Sequence, residues 1–286
     1  MSWKIGAVLL LSFLIAASGI FVGGKLSGND APSPEFLAQA LVNQDESCGR
    51  SLDLTYTIGY TDEPVPARCR YVRTPQRSFL SMADEKRTKR ISLDAGTKIS
   101  RQLTIHADGK EATGVIDDKF AADLGNREFP DVVRFPLDVS TLTALVRRGT
   151  VSPERQDIDG KACWLVETPS NYTKDQTLGM WLDPDIGFCP RRVEMRGPRE
   201  IDLETIDFQE YKELGNGVYS PMEIHIRFAN KVKTTGMPPV GSMLECVMRV
   251  SKAQIDQPIP DSELAVDFPS GTLVYDKVKD MKYTQP

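Results

Sequence analysis

The residue types that most often do chemistry are scarce in this chain, and their spacing does not bring them together. The two histidines, His106 and His225, are far apart, and each lies in or beside a segment with strand character. No G-x-S-x-G, H-E-x-x-H or phosphate-binding loop sequence is present. Asp183 and Asp185 are spaced like carboxylates that could do acid–base work, but they surround a proline just before an Ile-Gly pair, which a turn explains better. The sequence therefore predicts no catalytic site, no metal and no other cofactor.

The cysteines are widely spaced and contain no C-x-x-C pair, which argues against a thiolate metal site. They are Cys48, Cys69, Cys163, Cys189 and Cys246. A chain of 286 residues can bury a sizeable core, so it needs no disulfide scaffold. We expect at most one or two disulfides, or buried thiols, and the spacing does not fix a connectivity.

The net charge of −5 argues against a nucleic-acid partner, because such a partner requires a basic face. Basic pairs such as Arg147-Arg148 and Arg191-Arg192 are scattered along the chain, as surface charges are. The composition leaves the oligomeric state open.

The N-terminal segment, residues 5–24, carries no charge. As a helix with a rise of about 1.5 Å per residue it would span the roughly 30 Å hydrocarbon core of a membrane. An uncleaved anchor is the first interpretation, because the apolar run continues past the small residues Ala16-Ala17-Ser18; a cleaved secretory signal is the alternative. Both predict an exported protein. We divide the chain into an anchor or signal (1–26), a linker (27–32) and one domain (33–286).

A helix with clear start and stop signals opens this domain. Ser33 can cap it, Pro34 suits the first helical position, and Gly49 is a plausible stop. Its expected apolar face contains Phe36, Leu37, Ala40 and Leu41.

Alternating apolar and polar residues then predict an antiparallel meander of roughly ten strands. The alternation is clearest at Leu52–Tyr60 and returns at 222–228 and 244–250. Turn sequences such as Asn216-Gly217 separate the runs.

Two amphipathic segments interrupt the strands. Asp118–Leu124 would place Phe120, Ala121 and Leu124 on one side of a short helix. Between Asp138 and Gly149, Ser140 could cap a helix whose apolar stripe contains Leu142, Leu145 and Val146. Helices inserted there must cover a face of the sheet.

A tight hairpin follows at Trp181-Leu182-Asp183-Pro184, with its tip at Asp183–Gly187. The tip holds an aspartate that can bond its own backbone, a proline that fixes φ and a glycine that permits positive φ.

Together these segments resemble the bacterial outer-membrane lipoprotein carrier, or lipoprotein-sorting, superfamily. The resemblance rests on the N-terminal helix and on three motifs, and it covers most of residues 33–275. The motifs are Arg-Thr-Pro in Tyr71–Pro75, the Asp159–Glu167 strand and the Met180–Pro184 hairpin. It implies a mainly β fold: an incomplete antiparallel β-barrel of about ten strands with the N-terminal and mid-chain helices as a lid, here preceded by one N-terminal apolar helix.

The resemblance also implies a function, namely binding of lipid or of the acyl chains of lipoproteins in an apolar cavity under the lid. The protein would lie in the bacterial periplasm, tethered to the inner membrane, or soluble there if a signal is cleaved. Arg73 stands where the carriers place an arginine that holds the lid shut, although the motif here is Arg-Thr-Pro and not Arg-Pro. The candidate ligand-binding residues are Arg73, Phe120, Leu124, Leu142, Leu145, Val146 and Trp181. The alternative function is a membrane-tethered sensor or adaptor that binds another envelope protein and transports no lipid.

Overall fold

The computed structural model describes residues 30–61, 65–94, 96–107, 109, 111–118, 139–169, 175–199, 204–229, 239 and 241–286. Within these ranges one sheet contains 15 strands and a separate hairpin contains 2. The expected anchor or signal at 1–26 lies outside the described residues. None of the helices in the described part of the chain is long and apolar enough to cross a membrane.

The first part of the chain supplies α1 (Pro34–Glu46), β1 (Leu52–Tyr60), β2 (Ala67–Arg73), β3 (Arg77–Ala83), β4 (Arg87–Asp94), β5 (Ser100–His106) and β6 (Ala112–Asp117). The middle supplies α2 (Val139–Arg148), β7 (Thr150–Ile158), β8 (Lys161–Pro169), β9 (Thr177–Asp183), β10 (Cys189–Arg196) and β11 (Glu204–Gln209). The last part supplies β12 (Lys212–Gly215), β13 (Val218–Ser220), β14 (Glu223–Ala229), β15 (Met243–Ile255), α3 (Asp261–Leu264), β16 (Leu273–Asp276) and β17 (Met281–Thr284).

The large sheet is open and almost entirely antiparallel. Its order is β17-β16-β6-β5-β4-β3-β2-β1-β15-β14-β11-β10-β9-β8-β7, and only β16 and β6 pair in parallel. The two halves of the chain meet where β1 pairs with β15 along its whole length. Beside this junction, the Ser51 hydroxyl donates to the carbonyl of Gln257 at 2.7 Å and accepts from its N–H at 3.0 Å. The open sheet agrees with the expected incomplete barrel.

The start of α1 is as its sequence predicted. Ser33 Oγ accepts a hydrogen bond from the N–H of Phe36 at 3.2 Å, and Pro34 is the first helical residue. The residues that it buries are Leu37, Ala38 and Leu41. Ala38, and not the expected Ala40, completes this face because α1 is covered both by the sheet and by α2.

One apolar cluster fills the inner face of the sheet beneath α1 and α2. Its fully buried members come from both halves of the chain and include Tyr56, Ile58, Met180, Leu182, Ile224, Ile226 and Met248. Leu142, Leu145 and Val146 of α2 belong to the same cluster. Because strands on both sides of the β1–β15 junction share one cluster, the sheet wraps around the helices. Each such buried side chain stabilises the fold by roughly 1.5–3 kcal/mol, so apolar contacts hold the helices in place.

The C-terminal part covers the outer face of the first half of the sheet. Leu264 of α3, Val266 and Phe268 pack there in a second apolar cluster, whose sheet members are Val72, Phe79, Leu103 and Val274. Gly114 admits the ring of Phe268, since a Cβ at Gly114 would lie 2.8 Å from the Phe268 Cε1 atom. The chain therefore crosses the outer face before β16 joins β6, which explains the single parallel pair.

The prediction of about ten strands is too low for the sheet. The strands that it missed have polar or charged sequences, such as R-T-K-R-I-S-L-D in β4 and T-V-S-P-E-R-Q-D-I in β7. β7 lies at the edge of the sheet and buries only Ile158 fully, so its sequence shows little alternation. A last strand near residues 268–276 was expected and is found as β16, but β17 beyond it was not.

The five cysteines are buried thiols that form no disulfide, so the second of the two alternatives is confirmed. Burial raises the pKa of Cys69, Cys163 and Cys189 to about 12. These side chains are therefore neutral thiols with little reactivity.

The outer face of β14 and β15 carries a histidine held between two carboxylates. His225 Nδ1 lies 3.0 Å from Glu245 Oε1, and His225 Nε2 lies 2.6 Å from Glu223 Oε1. Arg249 Nε donates to the other oxygen of Glu223 at 3.0 Å. Ionised carboxylates only accept hydrogen bonds, so this site suits the imidazolium form, in which both ring nitrogens donate. Burial lowers the pKa of His225, but the hydrogen bonds that the ring donates to Glu245 and Glu223 raise the pKa by more, so the net result is a raised pKa.

We expect Gly149→Ala to destabilise the contact between α2 and β8. A Cβ at Gly149 would lie 2.4 Å from Val166 Cγ1 and 3.1 Å from the Glu167 carbonyl oxygen, so the backbone must shift. The free energy of unfolding, measured with urea, should fall by about 1–3 kcal/mol. The control is Gly96→Ala, where the nearest atom lies at 3.4 Å and the change should stay within about 0.5 kcal/mol. Equal urea midpoints for the two variants would contradict the close packing of α2 on β8.

We expect His225→Gln to lower stability at acidic pH more than at alkaline pH. A raised pKa in the folded state means that the imidazolium stabilises the fold fully below the unfolded pKa of about 6.5, and that this contribution is lost as pH rises through the folded pKa. The cost should be about 1 kcal/mol at pH 6 and smaller at pH 9. The chain's other histidine, His106, is exposed at the end of β5, and His106→Gln is the control. A cost for His225→Gln that is independent of pH would show that the carboxylates do not hold the imidazolium.

Candidate functional site

A cavity of about 90 Å³ lies between α1, α2 and the inner face of the sheet. Its apolar lining includes Leu41, Leu52, Leu54, Leu142, Phe208, Ile224, Met248 and Val250. Its polar lining comprises Gln44, Asp45, Arg73, Tyr211, Tyr219 and Ser220, with the thiols of Cys48 and Cys189. The cavity is therefore an apolar space with polar side chains at α1 and at the β12–β13 hairpin.

Arg73 joins the sheet to the last turn of α1. It is the final residue of β2, its guanidinium pairs with the carboxylate of Asp45, and both side chains are only partly exposed. Burial lowers the pKa of Arg73, but the Asp45 carboxylate raises it more, and the net result is a raised pKa. This ion pair therefore links the edge of the sheet to the C-terminal end of α1.

Gln44 fixes the same turn of α1 to the β12–β13 hairpin. Its Nε2 donates to the carbonyl of Gly217 at 2.6 Å, and its Oε1 accepts from the N–H of Tyr219 at 3.1 Å. The β9–β10 hairpin also approaches this side chain, since a Cβ at Gly187 would lie 2.0 Å from Gln44 Nε2. The glycine at this tip is thus required both by its φ of 67° and by the proximity of α1.

The β9–β10 hairpin forms a rigid seat for α1. The Asp183 carboxylate is buried, accepts from the N–H of Asp185 at 2.9 Å and pairs with Arg191 Nε at 2.8 Å. The next residue beyond the glycine, Phe188, meets the ring of Phe36 on α1 edge-on, with ring centroids 5.5 Å apart. The expected turn is confirmed, and its first aspartate has a structural partner in Arg191.

α2 packs beside α1 and completes the cover of the inner face. Arg147 Nε lies 3.2 Å from the Glu35 carboxylate, which joins the C-terminal end of α2 to the first turn of α1. This pair is exposed and contributes at most about 1 kcal/mol. The helix runs over Val139–Arg148, so Ser140 lies inside it and not at the expected cap position.

The structure brings together some of the predicted site residues and separates others. Arg73 and Leu142 line the cavity, while Leu145 and Val146 are buried in the same inner cluster without lining it. Trp181 lies on the outer face, in a small cluster with Ile158, Cys163 and Leu165. Phe120 and Leu124 lie outside the described residues.

Several lining residues were missed by sequence analysis, notably Gln44, Asp45 and Tyr219. Gln44 and Gly217 are 173 positions apart, and no local pattern links them. The Asn216-Gly217 turn indicated a hairpin there, but not that α1 would contact it.

The cavity is small for a ligand site. Pockets that bind drug-sized molecules have volumes of roughly 300–1,000 Å³. A volume of about 90 Å³ means that the side chains of the helices occupy most of the interior. The described residues also contain no group of three or more His, Cys, Asp or Glu side chains that could hold a metal ion.

Comparison with family models gives no match, and no curated protein matches the chain. Among solved structures, a DUF1329 family protein from Desulfovibrio piger has 12% identity and a TM-score of 0.51, covering 82% of this chain and 98% of that one. A putative outer membrane lipoprotein-sorting protein domain from Vibrio parahaemolyticus has 10% identity and a TM-score of 0.45, covering 80% and 95%. A chain of the Pseudomonas aeruginosa MucA/MucB complex has 8% identity and a TM-score of 0.20, covering 77% and 94%.

The likeness to the Desulfovibrio piger protein shows a shared fold.

We expect Gln44→Ala to loosen α1 at its C-terminal end. The variant loses both hydrogen bonds to the β12–β13 hairpin, each worth about 0.5–1.5 kcal/mol. Hydrogen exchange of the α1 amides should become faster, while exchange in β1 should change little. The matched control on the same helix is Gln39→Ala, because the exposed Gln39 bonds only to Asn43 within α1. Unchanged exchange in α1 of Gln44→Ala would show that the hairpin does not hold the helix.

Proposed function

We propose that this protein is an exported component of the bacterial envelope that binds lipid, or the acyl chains of lipoproteins, between its sheet and its helices. The proposal rests on the aliphatic inner face of the sheet. Two helices cover this face, and polar contacts hold the C-terminal end of α1. The described arrangement would then be the closed state.

The energetics of such a protein are a competition for one apolar surface. α1 and α2 bury Leu37, Leu41, Leu142, Leu145 and Val146 against the sheet. An entering acyl chain would displace these contacts. Each methylene that it buries would contribute about 0.8 kcal/mol to binding. Binding therefore requires that the helices move outward, since the closed cavity of about 90 Å³ is too small for a chain.

The N-terminal segment affects the role of the protein. If residues 5–24 remain as an anchor in the inner membrane, the protein cannot diffuse as a shuttle. It would instead receive or handle lipid locally, on the periplasmic side. If they are a signal that is removed, a soluble periplasmic carrier is the corresponding role.

A second candidate function is a tethered sensor or adaptor that binds another envelope protein and transports no lipid. The well-filled interior beneath α1 and α2 favours it, because a stable apolar core needs no ligand. The two functions differ in whether the helices yield to an acyl chain.

If an acyl chain displaces the helices, Leu145→Ala should bind it more tightly than the wild type does. Leu145 is buried on α2 but does not line the closed cavity, so its loss weakens the closed state more than it removes ligand contacts. Apparent affinity rises with the open fraction, and we expect a dissociation constant for a fluorescent fatty acid that is lower by roughly tenfold.

The matched control is Leu165→Ala. Leu165 is buried to a similar degree on the outer face, in the cluster with Trp181, so this variant loses stability without loosening the lid. It should bind the fatty acid as the wild type does. Failure of the wild type and of Leu145→Ala to bind, together with lipid extracts that contain no acyl-bearing species, would exclude lipid binding and leave the adaptor function.

A further inference from the structure

The cavity contains one basic and one acidic side chain among the described residues that line it, and the two pair with each other. Arg73 belongs to the sheet, and Asp45 belongs to α1. The other polar lining residues are neutral amides, hydroxyls and thiols. Among the described lining residues, Asp45 on α1 alone therefore balances the charge of Arg73 on the sheet.

Movement of α1 away from the sheet would remove the counter-ion of Arg73. Asp45 lies in the last turn of the helix and would leave with it, whereas Arg73 is fixed in β2, directly opposite Leu52 in the β1–β2 register. A partly buried guanidinium without a counter-ion is unfavourable. The open state thus has an apolar floor beginning at Leu52 and an unpaired cation at its edge.

We propose that the ligand is an acyl chain that ends in a carboxylate or a phosphate, and that this anionic head replaces Asp45 at Arg73. The inference rests on the proposed lipid-binding function and names the chemistry of its ligand. The chain would lie over the floor formed by Leu54, Ile224 and Met248, all of which line the cavity. The guanidinium has a planar fork of donors that suits both oxyanions.

A neutral chain of the same length would bury the same methylenes but leave Arg73 without a partner. The binding free energies of an anionic and a neutral ligand then differ by the contribution of the hydrogen bonds to the charged guanidinium. That corresponds to roughly a 10- to 100-fold difference in dissociation constant.

The test compares probes that differ only in the head. A fluorescent fatty acid, its methyl ester and a monoalkyl phosphate of similar length are titrated into the protein below their aggregation concentrations. We expect the acid and the phosphate to bind the wild type at least about tenfold more tightly than the ester. The separate acid and phosphate arms show which oxyanion is preferred. Inorganic phosphate should not displace the fatty acid, because it has no chain to bury.

Two variants test whether the preference for an anionic head depends on the Arg73–Asp45 ion pair. Arg73→Gln should bring the affinities for acid and ester together, whereas Asp45→Asn should tighten binding of the acid because the competing carboxylate is gone. Arg68→Gln is the matched control, since Arg68 is exposed on the same strand and faces away from the cavity. Thermal unfolding of each variant shows whether it is folded.

The possible failures are distinguishable. Equal affinity of the wild type for the acid and the ester would overturn the inference about Arg73 while leaving lipid binding intact. This comparison needs no variant and so does not depend on Arg73→Gln folding. Failure of all three probes to bind would overturn the proposed function itself.

Discussion

An apolar sheet face that curves without closing must be covered, and the rest of this structure follows from that requirement. A closed barrel would bury its inner residues against each other, but here the sheet ends at β7 and β17. α1 and α2 supply the missing cover, with Leu37, Leu41 and Val146 almost completely buried. Because these helices are part of the hydrophobic core, moving them away from the sheet would cost the free energy of their packing. They are not a loosely attached flap.

Polar contacts hold the C-terminal end of α1 in place. The helices are held by apolar packing along their length, but directional bonds concentrate at the end of α1, through Gln44 and Asp45. Ion pairs and hydrogen bonds add orientation to a hydrophobic contact that by itself has none. The buried Asp183–Arg191 pair keeps the β9–β10 hairpin in the shape that receives Phe36, although it does not touch α1. The fold therefore fixes one end of the cover more firmly than its apolar stripe alone would.

Sequence patterns predicted the features that depend on local physics. The Asp183–Gly187 turn, the cap of α1 at Ser33 and the β1 strand all rest on neighbouring residues, and the structure has them as expected. The sequence could not show which face of the sheet a side chain occupies where apolar and polar residues do not alternate. β9 is buried on both sides, so nothing in its sequence indicates that Trp181 faces outward. The partners of Arg73 and Gln44 come from distant parts of the chain, and only the fold brings them together. The resemblance to the lipoprotein carriers drew attention to Arg73, but it could not supply Asp45.

The junction between β1 and β15 has a consequence for how the protein reaches its native state. Pairing of Leu52 with Ile255 brings together residues from opposite ends of the domain, so the centre of the sheet is its least local part. Long-range strand pairing slows folding, because the entropy of closing the intervening loop is lost before contacts form. α1 connects directly to β1, but it docks on the β9–β10 and β12–β13 hairpins, which come much later in the chain. We therefore expect the helix to dock only after most of the chain has been synthesised, leaving the N-terminal strands exposed until then.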